Sequence, residues 1–339
     1  MSGARASQKS GEERLIERHF APIAWHPGAL GLTDDAAFVA PPAGCDLVLK
    51  TDAIVSSIHF FFDDPADLVA RKALRVNLSD LAAKGAKPLG FLLSLAIPTD
   101  LPPEWLTEFS RGLAADAEEF DCPLFGGDTD RSPGPIMVSI AAFGSAPSGT
   151  MVKRRGARPG DIVAVTGTIG DAALALALRD GRASAAWRPT PDEAEHLRRR
   201  YLLPQPRNAI AEAVRTHASA AMDVSDGLAG DLAKLCRASG VSAEIAIEKV
   251  PLSPAAASAV AAAPDLFTTI LTGGDDYEIL LTLSPDRLES FRAAASACGV
   301  AVEPIGRIVE GEGLPTFTDP SGATRSFADG SFSHFQDMR

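Results

Sequence analysis

Short apolar runs rich in β-branched residues alternate with longer segments of 3.6-residue periodicity, and this alternation restricts the chain to folds that lay helices on sheets. In the first half, residues 46–49, 54–62, 91–97 and 136–143 read as strands. Pro65 opens a helix in which Leu68, Leu74, Leu78, Leu81 and Ala82 recur down to a stop at Gly85. A second helix spans residues 102–120, and a short amphipathic one runs from Glu12 to about Ala21. Leu124-Phe125 leads into an expected turn at Gly126-Gly127-Asp128. The order β-β-α-β-α-β describes a mixed α/β unit.

Between Gly144 and Gly160, two prolines, four glycines and the cluster Lys153-Arg154-Arg155 interrupt the pattern, which marks a boundary. The second half repeats the mixture, with strands at 162–166, 243–247 and 279–283. Helices are expected at 170–178, 209–216, 229–239, 252–263 and 285–298. The expected architecture is two α/β (mixed α+β) domains, residues 11–148 and 149–339, behind a disordered N-terminus of residues 1–10.

Composition narrows the function classes. With 46% hydrophobic residues in 339, a sizeable core is assured. A formal net charge of −12 argues against a nucleic-acid partner. Cys45, Cys122, Cys236 and Cys298 are widely spaced with no C-x-x-C pair, which speaks against a zinc site or disulfide framework and for buried thiols in a reducing cytoplasm. The first ten residues are polar without an apolar stretch, so no secretory signal is expected there. No apolar run reaches the roughly 18 residues of a membrane span.

Aspartates gather where apolar runs end: Asp34-Asp35, Asp52, Asp128, Asp223, Asp226 and Asp275-Asp276. Asp80 instead lies inside a helix, three residues after Asn77 and on the same side of it. Strand ends are where open α/β sheets present ligand groups. Carboxylates facing one cleft stay ionised only with cations to neutralise them, and hard oxygen donors favour magnesium or calcium. A single such aspartate is most simply a turn or cap residue, and spacing alone names no reaction.

The common phosphate loops are missing. There is no G-x-x-x-x-G-K-[ST] and no protein-kinase loop set. Thr166-Gly167-Thr168-Ile169-Gly170-Asp171 reads as a strand-to-helix turn, either a plain capped turn or one whose amides take a phosphate. Lys153-Arg154-Arg155 is either a solvated loop or an anion contact. Ser225, in Asp223-Val224-Ser225-Asp226-Gly227, has no histidine near it in sequence, so a catalytic triad ranks low. His59, at the end of an apolar run, is equally a satisfied edge histidine or a ligand contact.

Taken in order, the motifs are L-T-D-D-A-A (32–37), K-T-D (50–52), H-F (59–60) and N-L-S-D-L-A-A-K-G-A (77–86). G-G-D-T (126–129), K-R-R-G-A-R-P-G-D (153–161) and T-G-T-I-G-D (166–171) follow. D-V-S-D-G-L (223–228), G-G-D-D-Y-E (273–278) and F-S-H-F (332–335) complete the series. Each is weak alone, but the ordered series resembles the thiamine-monophosphate kinase family, in the superfamily that includes aminoimidazole ribonucleotide synthetase. The resemblance covers residues 11 to 335.

It implies two α/β domains, with N-terminal domains pairing strands across a homodimer and the C-terminal domain completing an active-site cleft. ATP is implied as co-substrate with several Mg2+ ions, and thiamine monophosphate as acceptor. By position, Asp35, Thr51, Asp52, Asp80, Asp128, Asp223 and Asp226 match the family's metal ligands. Gly127, Asp128, Arg154 and Ser225 match its ATP contacts, and His59, Asp275 and Phe332 its substrate contacts. No residue is implied as acid, base or nucleophile. Such chemistry suits an aspartate-rich, histidine-poor chain, because a phosphate monoester's second pKa is about 6 and its oxygen is already mostly anionic at neutral pH.

The chain departs from the family pattern at Thr33, at Ser57-Ile58 and at Ser331. Lys50 stands in place of a serine, Lys84 at a usually apolar position, and Asp275 in place of glutamate. A sister ATP-dependent enzyme of the superfamily and a non-catalytic nucleotide and metal binder remain as alternatives. Selenophosphate synthetase calls for a reactive cysteine near the N-terminus with a lysine close by, and neither is present.

Overall fold

The computed structural model describes residues 10–327. The expectations of a disordered start over residues 1–9 and of a substrate contact at Phe332 fall outside them. Ser10 is ordered as the N-cap of helix α1 (Gly11–His19), in a reciprocal capping box with Glu13.

Two compact units divide the described chain. The first comprises residues up to Ala43 with Leu49–Asn77 and Pro88–Phe143. The second comprises Gly44–Val48, Leu78–Lys87 and the chain from Gly144 onward.

The first unit is built on a four-stranded sheet of order β1-β4-β2-β3, with β1 Cys45–Val55, β2 Lys87–Pro98, β3 Leu124–Ser132 and β4 Met137–Pro147. Helices α2 (Ala66–Ala83) and α3 (Pro103–Glu119) accompany it. Strands β2 and β3 run parallel, as a helical crossover requires. Phe109, Leu113 and Ala117 of α3 are buried, as are Val69, Ala70 and Leu74 of α2. A buried ion pair clamps these helices: Arg75 Nε meets Asp116 Oδ2 at 2.6 Å, and Arg71 Nε meets Oδ1 at 2.6 Å. Asp116 is wholly buried, and the two guanidinium groups balance its charge there.

Two expectations fail here for identifiable reasons. Residues 54–62 do not form a strand: β1 stops at Val55, and a tight loop follows in which Ile58 N and His59 N both donate to the Val55 carbonyl, at 3.1 and 2.9 Å. Ser57 takes φ +67° there, which ends any pleat. Gly126-Gly127-Asp128 is not a turn but the middle of β3, with Leu93 opposite Gly127 and Ser94 opposite Asp128. A Cβ on residue 127 would lie 1.9 Å from the Leu93 carbonyl oxygen, so the glycine serves close strand pairing rather than reversal.

The second unit holds a seven-stranded sheet of order β11-β10-β7-β9-β5-β8-β6. Its strands are β5 Ile162–Thr166, β6 Ala220–Asp223, β7 Ser242–Ala246, β8 Ile279–Leu283, β9 Val302–Val309, β10 Thr316–Thr318 and β11 Thr324–Arg325. Its helices are α4 Asp171–Arg179, α5 Pro191–Leu202, α6 Ala211–His217, α7 Leu228–Ser239, α8 Pro254–Ala262, α9 Leu266–Thr272 and α10 Leu288–Ala297. Ala164, Ile279, Leu281 and Leu283 of the sheet form one core with Val214 of α6 and with Phe291 and Ala295 of α10. Full burial of a side chain such as Phe291 contributes about 1.5–3 kcal/mol. Sequence reasoning named no element for α5, β6, α9 or β9. β6 is a four-residue Ala-Ala-Met-Asp segment with no β-branched residue, and α5 is dominated by charge.

No described helix is long and apolar enough to cross a membrane.

Candidate active site

In the first unit, the short 3-10 turn Pro27–Leu32 ends with Leu30 and Leu32 at positive φ, which turns the chain toward Asp34 and Asp35. The Phe38 N–H donates to the Gly28 carbonyl at 3.0 Å and holds the acidic segment back against the unit. A groove of about 640 Å3 follows. Asp34 and Asp35 line it together with Gly126, Gly127, Asp128 and Thr129 of β3, over a floor that includes Phe20, Leu93 and Phe125. Three of the residues singled out in the sequence, Asp35, Gly127 and Asp128, therefore share one cavity.

Asp52 and Asp128 lie within strands β1 and β3 rather than at their ends. Alternation along β1 places Asp52 on the opposite face from Thr51, whose Oγ1 donates to the Ile140 carbonyl at 3.0 Å. Asp52 carries a salt bridge from Lys50, on its own face of the strand, with Nζ 3.1 Å from Oδ2. His59 closes the loop after β1: its Nδ1 accepts from Val55 N–H at 3.1 Å, so the neutral ring carries its proton on Nε2. The buried Lys72 donates to the His59 carbonyl at 3.1 Å and pins the same loop.

In the second unit, the D-V-S-D-G and G-G-D-D-Y-E motifs become one structure. β6 and β8 pair antiparallel with Asp223 opposite Ile279. Beyond their ends the two loops continue as a zipper: Val224 N donates to the Glu278 carbonyl, Tyr277 N to the Val224 carbonyl and Asp275 N to the Ser225 carbonyl, each at 2.8 Å. Asp223, Ser225, Asp226 and Asp275 are thereby brought together. Tyr277 Oη donates to Asp275 Oδ1 at 3.1 Å. Helix α2 joins the same region, since Ser79 Oγ donates to the Tyr277 carbonyl at 3.4 Å and Asn208 Nδ2 to the Leu78 carbonyl at 3.1 Å. Asp80 follows directly on Ser79.

Asp231 and Lys234 gave no sequence signal, and Glu278 was seen only as the last residue of the G-G-D-D-Y-E motif. Buried Asp231 accepts from Ser225 N–H at 3.0 Å and Asp226 N–H at 2.9 Å, fixing the aspartate loop from the first turn of α7. Lys234, one turn on, contacts Asp231 Oδ1 at 2.9 Å and also pairs with Asp226. Burial pulls the Lys234 pKa down, but the two carboxylates outweigh it and leave the ammonium more firmly protonated than usual. Glu278, fully buried, accepts from Arg207 Nε at 2.7 Å, Arg200 at 3.0 Å and Thr166 Oγ1 at 2.6 Å. These pairs join partners far apart in sequence, which one-dimensional spacing cannot display.

The turn at residues 166–171 leads into α4 with no side-chain cap bond. Three of its amides are already used: Gly167 N donates to Ala301 O, Ile169 N to Pro251 O and Gly170 N to Asp276 Oδ1. A phosphate there would have to break all three. Lys84 points its Nζ at the Ala221 carbonyl, 2.7 Å away. Arg154 is exposed on the loop before β5, which is tethered by Ala221 N donating to the Lys153 carbonyl at 3.1 Å.

Among the described residues, no three His, Cys, Asp or Glu side chains converge as a ready-made metal cage. The candidate donors are nonetheless all hard oxygens. Magnesium is commonly held by one or two carboxylates plus substrate phosphates, so this donor set fits it without a cage.

The chain matches the model of the AIR synthase related protein N-terminal domain over residues 33–146 and that of its C-terminal domain over residues 158–317. Thiamine-monophosphate kinase of Caulobacter vibrioides is 44% identical over 294 residues, covering 86% of this chain and 82% of that protein. The chain belongs to the thiamine-monophosphate kinase family. A crystal structure of the Stenotrophomonas maltophilia member superposes with a TM-score of 0.77 at 36% identity, over 86% of this chain and 91% of that one. The family member AaThiL, solved in complex with AMPPCP and TMP, gives 0.75 at 32% identity, over 89% of this chain and 91% of that one. The family's two-domain match spans the groove of Asp35 and Asp128 as well as the zipped loops of Asp226 and Asp275.

Proposed function

We propose that this chain transfers the γ-phosphoryl group of ATP to thiamine monophosphate, forming thiamine diphosphate. The observation that carries the reading is the zipper of the 223–227 and 273–278 loops. It gathers Asp223, Ser225, Asp226 and Asp275 from distant sequence positions, in a chain 44% identical to a kinase of that name.

The transfer is direct, and no general base is needed, because the acceptor oxygen is already anionic. What the protein must supply is positioning and charge neutralisation. We assign magnesium binding to Asp35, Thr51, Asp52, Asp80, Asp128, Asp223 and Asp226. When bound, magnesium screens the charge on the phosphates that have to meet. Gly127, Asp128, Arg154 and Ser225 are assigned to ATP, with Arg154 adding positive charge. His59, through a ring whose proton sits on Nε2, and Asp275, held by Tyr277, are assigned to the thiamine phosphate, together with Phe332. Residues 11–148 form the domain of the acidic groove and residues 149–339 that of the zipped loops.

A homodimer is part of the same reading. Leu49, Leu92 and Met137 are exposed large apolar residues on β1, β2 and β4, Leu49 at 72%. Exposed apolar side chains of this kind are suited to contact with a second copy of the chain. All four cysteines are free, and we place the protein in the cytoplasm.

The deciding experiment incubates the purified chain with ATP, magnesium chloride and thiamine monophosphate and follows thiamine diphosphate by chromatography. Product that needs the monophosphate rather than free thiamine, and that is lost in Asp52→Asn, is the expected result. ATP binding with no product would overturn it.

A further inference from the structure

Two of the assigned magnesium ligands are each met by a lysine. On β1, Lys50 and Asp52 stand two residues apart on one face, with side chains 28% and 44% exposed and Nζ 3.1 Å from Oδ2. That face continues into buried Ile54. On α7, Lys234 bridges Asp231 and Asp226, with side-chain exposures of 29% for Lys234 and 38% for Asp226. In both places an ammonium sits where a divalent cation at the same carboxylate would be repelled by it.

We propose that Lys50 and Lys234 are tethered counter-cations that hold Asp52 and Asp226 in the metal-free protein and must swing aside when a divalent cation binds. The inference rests on the assignment of Asp52 and Asp226 as metal ligands. Its consequences differ from those of a structural ion pair. A structural lysine, once removed, leaves cation affinity unchanged or weakens it by disordering the carboxylate. A competing lysine, once removed, makes the cation bind more tightly. Each aspartate is thereby held in place without metal, at the cost of affinity for the metal itself. Both lysines are partly exposed, so their heads can rotate into solvent, although for Lys234 this also breaks the 2.9 Å pair with buried Asp231.

The test titrates Mn2+ into the full chain with AMPPCP present and reads free Mn2+ by electron paramagnetic resonance. Lys50→Gln and Lys234→Gln are each compared with the unaltered chain and with Lys50→Arg and Lys234→Arg. Melting temperatures without metal verify that every variant is folded. The glutamine variants are expected to bind Mn2+ about two- to fivefold more tightly, the range set by the strength of partly exposed ion pairs. The arginine variants should stay near the unaltered chain. Asp52→Asn and Asp226→Asn separate the two layers of the argument. If they weaken Mn2+ binding while the glutamine variants leave it unchanged or weaken it, the counter-cation role is overturned and the ligand assignment stands. If the asparagine variants also leave Mn2+ binding unchanged, the ligand assignment itself falls, and the counter-cation role with it.

Discussion

The main-chain N–H of Asp275 donates to the carbonyl of Ser225 at 2.8 Å, and this bond fastens two acidic loops that are remote in sequence. The residue before Asp275 makes the approach possible: Gly274 holds φ +74°, and a Cβ on it would lie 2.3 Å from that same carbonyl oxygen. Gly274→Ala is therefore expected to pry the loops apart, costing about 1–3 kcal/mol of stability and most of the turnover. Urea denaturation together with product formation checks this. Unchanged activity in the variant would show that the zipper is not needed for the reaction.

Tyr277 orients Asp275 through a 3.1 Å hydrogen bond to its carboxylate. Tyr277→Phe deletes that bond and keeps the ring. With a neutral-to-charged hydrogen bond worth about 1.5–3 kcal/mol at most, the KM for thiamine monophosphate is expected to rise at least severalfold. The KM for ATP should stay near its original value, and steady-state kinetics with each substrate varied will separate the two.

Glu278 is a fully buried carboxylate served by Arg207, Arg200 and Thr166. Removing it with Glu278→Ala takes the carboxylate from two largely buried guanidinium groups, for an expected loss of up to about 3–5 kcal/mol. Chemical denaturation measures that loss directly. Any loss of activity in this variant is not expected to be rescued by higher magnesium, because the defect is in the fold.

Asp276 introduces a pH dependence. Burial lifts its pKa well above the ordinary 3.8, and the Gly170 N–H and Arg200 only partly offset this. A carboxyl whose pKa is higher folded than unfolded binds its proton more tightly in the native state. Its contribution to stability is complete below the unfolded value and is lost as pH rises through the raised folded one. Asp276→Asn retains an acceptor for Gly170 and removes the ionisation. The variant's melting temperature is expected to gain on the unaltered chain steadily as pH is raised from 4 toward 8, whereas parallel curves would exclude a titrating Asp276.

Much of the site was legible in one dimension because its chemistry is carried by residue type. Aspartates at breaks in an apolar pattern are visible in any string, and Asp35, Asp128, Asp223, Asp226 and Asp275 were picked out as candidates that way, with Asp80 picked out inside a helix. Their placement was less legible. Gly126-Gly127-Asp128 reads as a turn because glycine favours reversals locally, yet pairing with β2 holds it extended. The 166–171 turn reads equally as a phosphate cradle, and only the tertiary partners of its amides decide against it.

By itself, then, the order of residues determined the helix-on-sheet class, the acidic chemistry and the family, since periodicity, charge and motif order are properties of the chain alone. The tertiary structure decided which carboxylates share a groove, that the Ser225 and Asp275 loops are one element, and that Asp231, Lys234 and Glu278 support them. Those facts depend on hydrogen bonds and ion pairs between segments far apart along the chain, whose geometry exists only once the two strands β6 and β8 have paired.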